Sequence, residues 1–276
     1  MRSSWTYIFY KVFAGATLLC LFFVAGGGIS HSDRWKIKRV NVVGANVVDN
    51  QAIIKFVQEK LTGNYYFVYA RENGYLFPKH EVEEGLIVAF PRLKSAQVSR
   101  TGAHTLAVSV SERTPFALWC GDEYTSPQRD LADCWFIDDG GFVFDRAPIF
   151  SSGVYLEIYG ALDGVIQGSI LRAHLPRPRF SLAHAFEQAM KKELGGIARI
   201  SIKPEGEYSV AINTSSAYPI LKGVEVRFND GQDPQTLVKN LTEALPVQFP
   251  PDAVPTKKLN YIDLRFRNKV FFGFES

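Results

Sequence analysis

The sequence predicts an α+β protein carried on a single N-terminal transmembrane helix, and three observations lead there. Residues 12–29 hold no charged side chain and approach the ~20 apolar residues that a helix needs to cross a ~30 Å hydrocarbon layer. Residues 35–114 then order their periodicities as strand, helix, helix, strand, strand. From residue 115 onward short alternating runs prevail, interrupted by two helical patterns, which predicts a mixed β-rich domain with helices on one face.

The membrane segment runs from Val12 to Ile29, behind a short tail of residues 1–11. Trp5, Tyr7 and Tyr10 are rings of the type that settle at a membrane interface, and Lys11 can reach headgroups along its apolar stem. A cleaved signal peptide would share the early charges Arg2 and Lys11 and the small residues Ala25 to Ser30. The length of the run favours an uncleaved anchor. Orientation is contested by charge, because Arg34, Lys36, Lys38 and Arg39 follow the segment and by count alone place the body inside. The same basic residues can touch anionic headgroups or simply flank a strand.

The chain of 276 residues leaves about 245 beyond the anchor, enough for one large or two ordinary domains. Hydrophobic content of 46% and charged content of 21% are ordinary for a folded body. The net charge of +3 is scattered, which argues against a nucleic-acid partner. Cys20 lies within the anchor, whereas Trp119-Cys120 and Cys134-Trp135 bracket a polar loop between two short strand patterns. Cysteines so placed can meet disulfide geometry, which tilts the body toward an oxidising compartment and outweighs the charge count. Two buried thiols are the alternative. Zinc is disfavoured because nothing completes a set of four ligands.

Each further element has a local cause. Lys36 to Val43 alternates as a half-buried strand and stops at Gly44. Asp49 caps a helix to Leu61 with Ile53 and Val57 on one face, and Gly63 ends it. Pro78 suits the first turn of a second helix bearing Val82, Leu86 and Phe90, closed by Pro91. Leu93 to Arg100 and Thr105 to Glu112 alternate as strands around Thr101-Gly102. Later strands are expected at Pro115 to Trp119, Trp135 to Ile137, Val154 to Ile158, Val165 to Leu171, Ile197 to Ile202, Tyr208 to Ile212 and Val224 to Phe228. Helices are expected from Ser181 to Leu194 and from Asp233-Pro234 through Leu245.

No constellation carries chemistry. The five histidines are dispersed, and neither a nucleophile elbow nor a phosphate-cradling glycine loop occurs. Asp138-Asp139-Gly140-Gly141 lies between apolar runs and reads as a hairpin turn rather than a carboxylate dyad. The expectation is a protein that is not an enzyme, with no metal, cofactor or small-molecule substrate.

Taken together, Val43-Gly44, the second helix ending in Phe90-Pro91, Ala96-Gln97-Val98-Ser99-Arg100 and Val108-Ser109-Val110-Ser111-Glu112-Arg113-Thr114-Pro115 resemble a polypeptide-transport-associated (POTRA) domain. The P-x-x-x-x-A-x-V-x-R run followed by V-x-V-x-E-R-x-P is similar to the FtsQ/DivIB bacterial cell-division proteins. Ile137 to Phe144 resembles that family's aspartate-glycine hairpin, and Tyr261-Ile262-Asp263-Leu264-Arg265-Phe266 its closing strand. The chain departs from the pattern in the cysteine-bracketed loop and in the proline-rich stretch near Pro176 to Pro178.

The resemblance implies a POTRA domain over 35–114 and an FtsQ-type β-domain over 115–276. It implies a single-pass inner-membrane protein of the division septum, with its N-terminus in the cytoplasm and its body in the periplasm or otherwise extracytoplasmic. Such a subunit of the divisome binds other membrane-anchored division proteins, small coiled-coil subunits and the septal synthase complex among them, and helps recruit and regulate septal peptidoglycan synthesis. The alternative is a POTRA-bearing chaperone or scaffold for protein transport or envelope assembly.

The last strand is the expected partner-binding edge. From Asn260 to Phe266 apolar Ile262, Leu264 and Phe266 alternate with Tyr261, Asp263 and Arg265, and the ten residues that follow are expected to leave the strand uncovered. Partner contacts are expected at Arg265, Phe266, Asn268, Val270 and Phe274, of which Phe266 and Phe274 match contact positions of the family. Phe271 and Phe272 are equally suited to the body's own core.

Overall fold

The computed structural model describes residues 2–125, 133–151, 153–250 and 257–275, with side chains from residue 7 onward. The Trp5 side chain and the centre of the loop between Cys120 and Cys134 therefore lie outside the described residues. The chain divides between Arg113 and Thr114 into two compact units.

The first unit begins with α1 (Arg2–Ser30), in which Tyr7–Ser30 is long and apolar enough to cross a membrane. The helix starts well before residue 12, and residues 2–11 are part of it. Lys11 lies over the Tyr7 ring at 4.5 Å, one turn away. β1 (Arg39–Val43) starts three residues later than its alternation predicts, because Lys36 instead bridges to Asn73. α2 (Asn50–Lys60) is capped by Asp49, whose carboxylate accepts from Gln51 N at 3.0 Å. A small hairpin unforeseen in the sequence follows, β2 (Asn64–Tyr65) and β3 (Tyr69–Ala70).

α3 (Lys79–Ala89) has Pro78 at its cap position rather than inside its first turn. β4 (Leu93–Arg100) and β5 (Thr105–Glu112) pair antiparallel, and β1 joins β5 in parallel, giving the order β1-β5-β4. Ile53 and Val57 of α2, Val82 and Leu86 of α3, and Leu93, Val98, Leu106 and Val108 of the sheet form its core.

Glu112 explains its place at the end of β5. Its carboxylate accepts backbone N–H bonds from Asn46, Val47 and Val48, each at 2.9 Å. Burial alone would raise its pKa, but these bonds and nearby Arg92 hold the carboxyl below the usual range. The loop it gathers follows Gly44, which has φ +94° and where a Cβ would stand 2.1 Å from Val110 O. Only glycine fits that approach.

The second unit contains β6 (Ala117–Trp119), β7 (Trp135–Ile137), β8 (Val143–Arg146), β9 (Glu157–Tyr159), α4 (Arg177–Glu193), β10 (Gly196–Ile202), β11 (Glu207–Thr214), β12 (Glu225–Asn229), α5 (Pro234–Gln248), β13 (Leu259–Asp263) and β14 (Phe271–Phe274). All strands join one mixed sheet in the order β14-β13-β12-β11-β10-β9-β6-β7-β8. Phe180, Ala183, Phe186 and Met190 of α4 and Leu237, Val238, Leu241 and Leu245 of α5 share one core with the sheet. At its centre Phe228 stacks on Phe186 at 4.3 Å and on Tyr208 at 4.7 Å. Burial of Tyr208 pushes its phenol up to about 12.

Two expectations fail here for identifiable reasons. Val165 to Leu171 is no strand: Ile166 and Ser169 close a tight turn around Gln167 and Gly168, both at positive φ. α4 starts at Arg177 rather than after Ser181, since Pro178 occupies its first turn, where a missing N–H costs nothing. The aspartate-glycine run is a turn, in which Asp138 Oδ1 accepts from Gly140 N at 2.9 Å and Phe142 N at 3.0 Å.

Cys120 and Cys134 are joined by a disulfide at the mouth of the β6–β7 hairpin, with Cα atoms 4.3 Å apart. They belong to a second apolar cluster with Leu118, Phe136, Phe144 and Tyr159. Trp119 and Trp135, paired across the strands, join the main core instead. Adjacent strand residues face opposite sides of a sheet, so bridge and indoles are separated by one residue.

Candidate partner-binding edge

The two ends of the sheet differ. At β8 the segment 172–175 runs along the outer side: Leu175 N donates to Gly141 O, Arg172 N to Val143 O, and Val143 N to Ala173 O. At the other end β13 is not the edge, contrary to the expectation that nothing covers it. β14 pairs antiparallel with it, setting Ile262 against Phe272 and Asp263 against Phe271. Among the described residues β14 is the open edge. Glu275 N donates to Lys258 O, so the antiparallel alternation turns the backbone groups of Phe272 and Phe274 away from β13.

Gly273 fixes how closely β14 lies on β13. A Cβ there would stand 2.3 Å from the Tyr261 ring, which therefore covers the glycine. Arg227 in turn lies over Tyr261 at 4.9 Å and bonds Glu225 at 2.7 Å, extending this surface ladder across β12.

The expected contact residues have different surroundings. Arg265 is engaged internally: Nη1 donates to Glu207 Oε2 and Nη2 to Asp263 Oδ2, both at 2.6 Å. Asp263, expected to point outward, is only 5% exposed. The strand ends there, since Leu264 is buried as well and donates to Arg227 O. The Lys203 bond, reinforced by Arg265, keeps Glu207 below the usual carboxylate range.

Phe266 and Phe271 meet edge to face at 5.1 Å and are 53% and 47% exposed. Asn268, at φ +55°, lines a polar cleft beside the start of α5 with Asp230, Asp233 and Arg267. Val270 packs on the core. Phe272 and Phe274 pack on Phe249 at the end of α5, at 5.6 and 6.3 Å. The exposed surface at this end of the sheet thus combines the β14 backbone with the Phe266–Phe271 pair. Phe271 was not among the expected contacts, although its alternation with Phe272 and Phe274 would have separated it from them.

No family model and no curated protein matches the chain.

Proposed function

We propose that the protein is a bitopic, non-enzymatic scaffold of the bacterial division complex. Its body lies outside the cytoplasm and binds other membrane-anchored division proteins, helping to recruit and regulate septal peptidoglycan synthesis. The single observation that carries this reading is the open β14 edge with an exposed aromatic pair beside it. An unpaired edge recruits a partner by strand addition: main-chain bonds supply affinity and neighbouring side chains supply selectivity. The β-α-α-β-β order with sheet order β1-β5-β4 supports reading the first unit as a POTRA domain. The disulfide supports an oxidising compartment for the second.

The test follows a fluorescent fusion in dividing cells together with co-purification from solubilised membranes. Septal accumulation and recovery of small bitopic division proteins are expected, with recovery lost in Phe266→Ala/Phe271→Glu. Uniform membrane distribution and recovery of unfolded envelope proteins would support the transport-scaffold alternative instead.

A further inference from the structure

The glycine run in α1 and the aromatic hairpin β2–β3 explain each other. Gly26, Gly27 and Gly28 each weaken a helix relative to alanine. A Cβ on Gly27 would stand 1.9 Å from Val68 Cγ1, and one on Gly26 3.0 Å from the Tyr69 hydroxyl. Tyr69 donates to Phe23 O at 3.1 Å, and the two rings meet edge to face at 5.0 Å. Ser30 accepts from Ala70 N and, through its carbonyl, from Asn73 Nδ2, both at 3.0 Å. Phe23, Gly26, Gly27 and Ser30 fall on one face of the helix, and the hairpin is docked along it.

That docking sets a depth. If the hydrocarbon layer begins just after the Lys11 charge, ~20 helical residues carry its far boundary to about residue 31. Phe23 to Ser30 then occupy roughly the last 10 Å of the layer. The docked hairpin must lie beside them. Its tip, Tyr66 and Phe67, points away from any packing, with exposures of 80% and 97%.

We propose that the hairpin Asn64–Ala70 is a second membrane contact, an aromatic finger seated in the interfacial layer of the lipid bilayer beside the C-terminal end of α1. The proposal rests on the reading that α1 spans a bilayer.

The chemistry fits that layer. Between Asn64 and Ala70 the chain reads Asn-Tyr-Tyr-Phe-Val-Tyr-Ala, with no charge and four aromatic rings. Such rings are favoured where acyl chains meet headgroups. The tip is a tight turn, Val68 N donating to Tyr65 O at 3.0 Å, with φ +47° at Tyr66 and +63° at Phe67. Asn-Gly is the usual occupant of such a turn. Two bulky residues there present both rings at the apex. Unpaired backbone of a short hairpin is costly in hydrocarbon, so the finger stays at the edge of that layer, no deeper than the level of Phe23. Arg34 is exposed shortly after the helix ends and can meet headgroup phosphates there.

The test uses the full chain in phosphatidylethanolamine–phosphatidylglycerol vesicles. In a Cys20→Ala background, Phe67→Cys is labelled with an environment-sensitive nitrobenzoxadiazole probe, and native Cys20 labelled in the parent chain reports on α1. Blue-shifted emission at position 67, quenched by lipids spin-labelled near the headgroup and shielded from aqueous iodide, is the expected result. Adding Gly27→Leu should push the finger off α1 and abolish the lipid quenching at 67 while leaving that at 20. A water-like, iodide-quenched signal at 67 with lipid quenching intact at 20 overturns the finger and leaves the anchor standing. Shielding from both quenchers at 67 overturns it in favour of a protein cover. Loss of lipid quenching at 20 removes the anchor and the finger together.

Discussion

Arg265 holds Asp263 two residues back along its own chain, with Nε 3.0 Å from Oδ1 and Nη2 2.6 Å from Oδ2, while Nη1 reaches Glu207 on β11. A carboxylate this buried is raised in pKa by desolvation, yet the guanidinium holds Asp263 below the usual range. A folded-state pKa below the unfolded value contributes stability that is complete above about pH 4 and is lost as pH falls through the folded value. Arg265→Ala should cost about 3 kcal/mol near neutral pH, because it strands a buried charge. The deficit should shrink in acid as Asp263 protonates. Near-ultraviolet circular dichroism of the full chain in detergent, melted across pH, checks both. A pH-independent deficit would contradict the assignment.

Glu112 gathers three backbone N–H groups after Gly44, and hydrogen bonds to a charged group contribute ~1.5–3 kcal/mol each. Glu112→Ala is expected to destabilise the first unit by about 3 kcal/mol, less than their sum because water re-enters. Glu112→Gln, which retains one acceptor, should lie between the variant and the parent. Hydrogen exchange at Asn46 to Val48 reads the effect directly, and unchanged protection there would refute it.

The Cys120–Cys134 bridge closes a short loop, for which loss of the link costs about 3 kcal/mol by chain entropy. Cys120→Ala/Cys134→Ala should melt earlier by that margin in the second unit. Peptide mapping without reductant should recover the linked pair from the native compartment. Two free thiols there would place the body on the reducing side of the membrane.

At the open end of the sheet, Phe266→Ala and Phe271→Ala should each change stability by less than about 1 kcal/mol, because both rings are half exposed. Partner recovery should nevertheless fall. Phe272→Ala should behave oppositely in stability, losing about 3 kcal/mol with the Phe249 contact. Removing everything beyond Phe266 is a poorer experiment, since it deletes β14 and uncovers β13. Equal recovery with all three single variants would move the binding surface elsewhere.

What could be read from the chain depended on how local its cause was. β4 and β5 were legible to the residue because each alternates over one buried face, and α2 because Asp49 caps it. The end of the chain misled for a tertiary reason. Alternation assigned Asp263 outward, but the Arg265 clasp lets it turn in, and the residues after Phe266 were expected to leave β13 uncovered, whereas Phe271–Phe274 pairs with it as β14. Gly273, set against Tyr261 across the strands, leaves room for that ring. The finger at Tyr66 and Phe67 was missed for lack of hydrophobic periodicity, although its density of aromatic residues was plain.

A sheet whose two ends are unlike has a valence. Residues 172–175 cap the sheet at Gly141 and Val143, the start of β8, and among the described residues no strand pairs with the outer side of β14. A guest strand that adds at β14 lengthens this sheet in one direction. Identical copies joined edge to edge through β14 would stop at a pair, and a foreign strand would stop at one. Growth into a fibre needs two complementary edges on every unit. On the proposed function, an edge used in this way ends strand addition rather than propagating it, with one partner held per anchored chain.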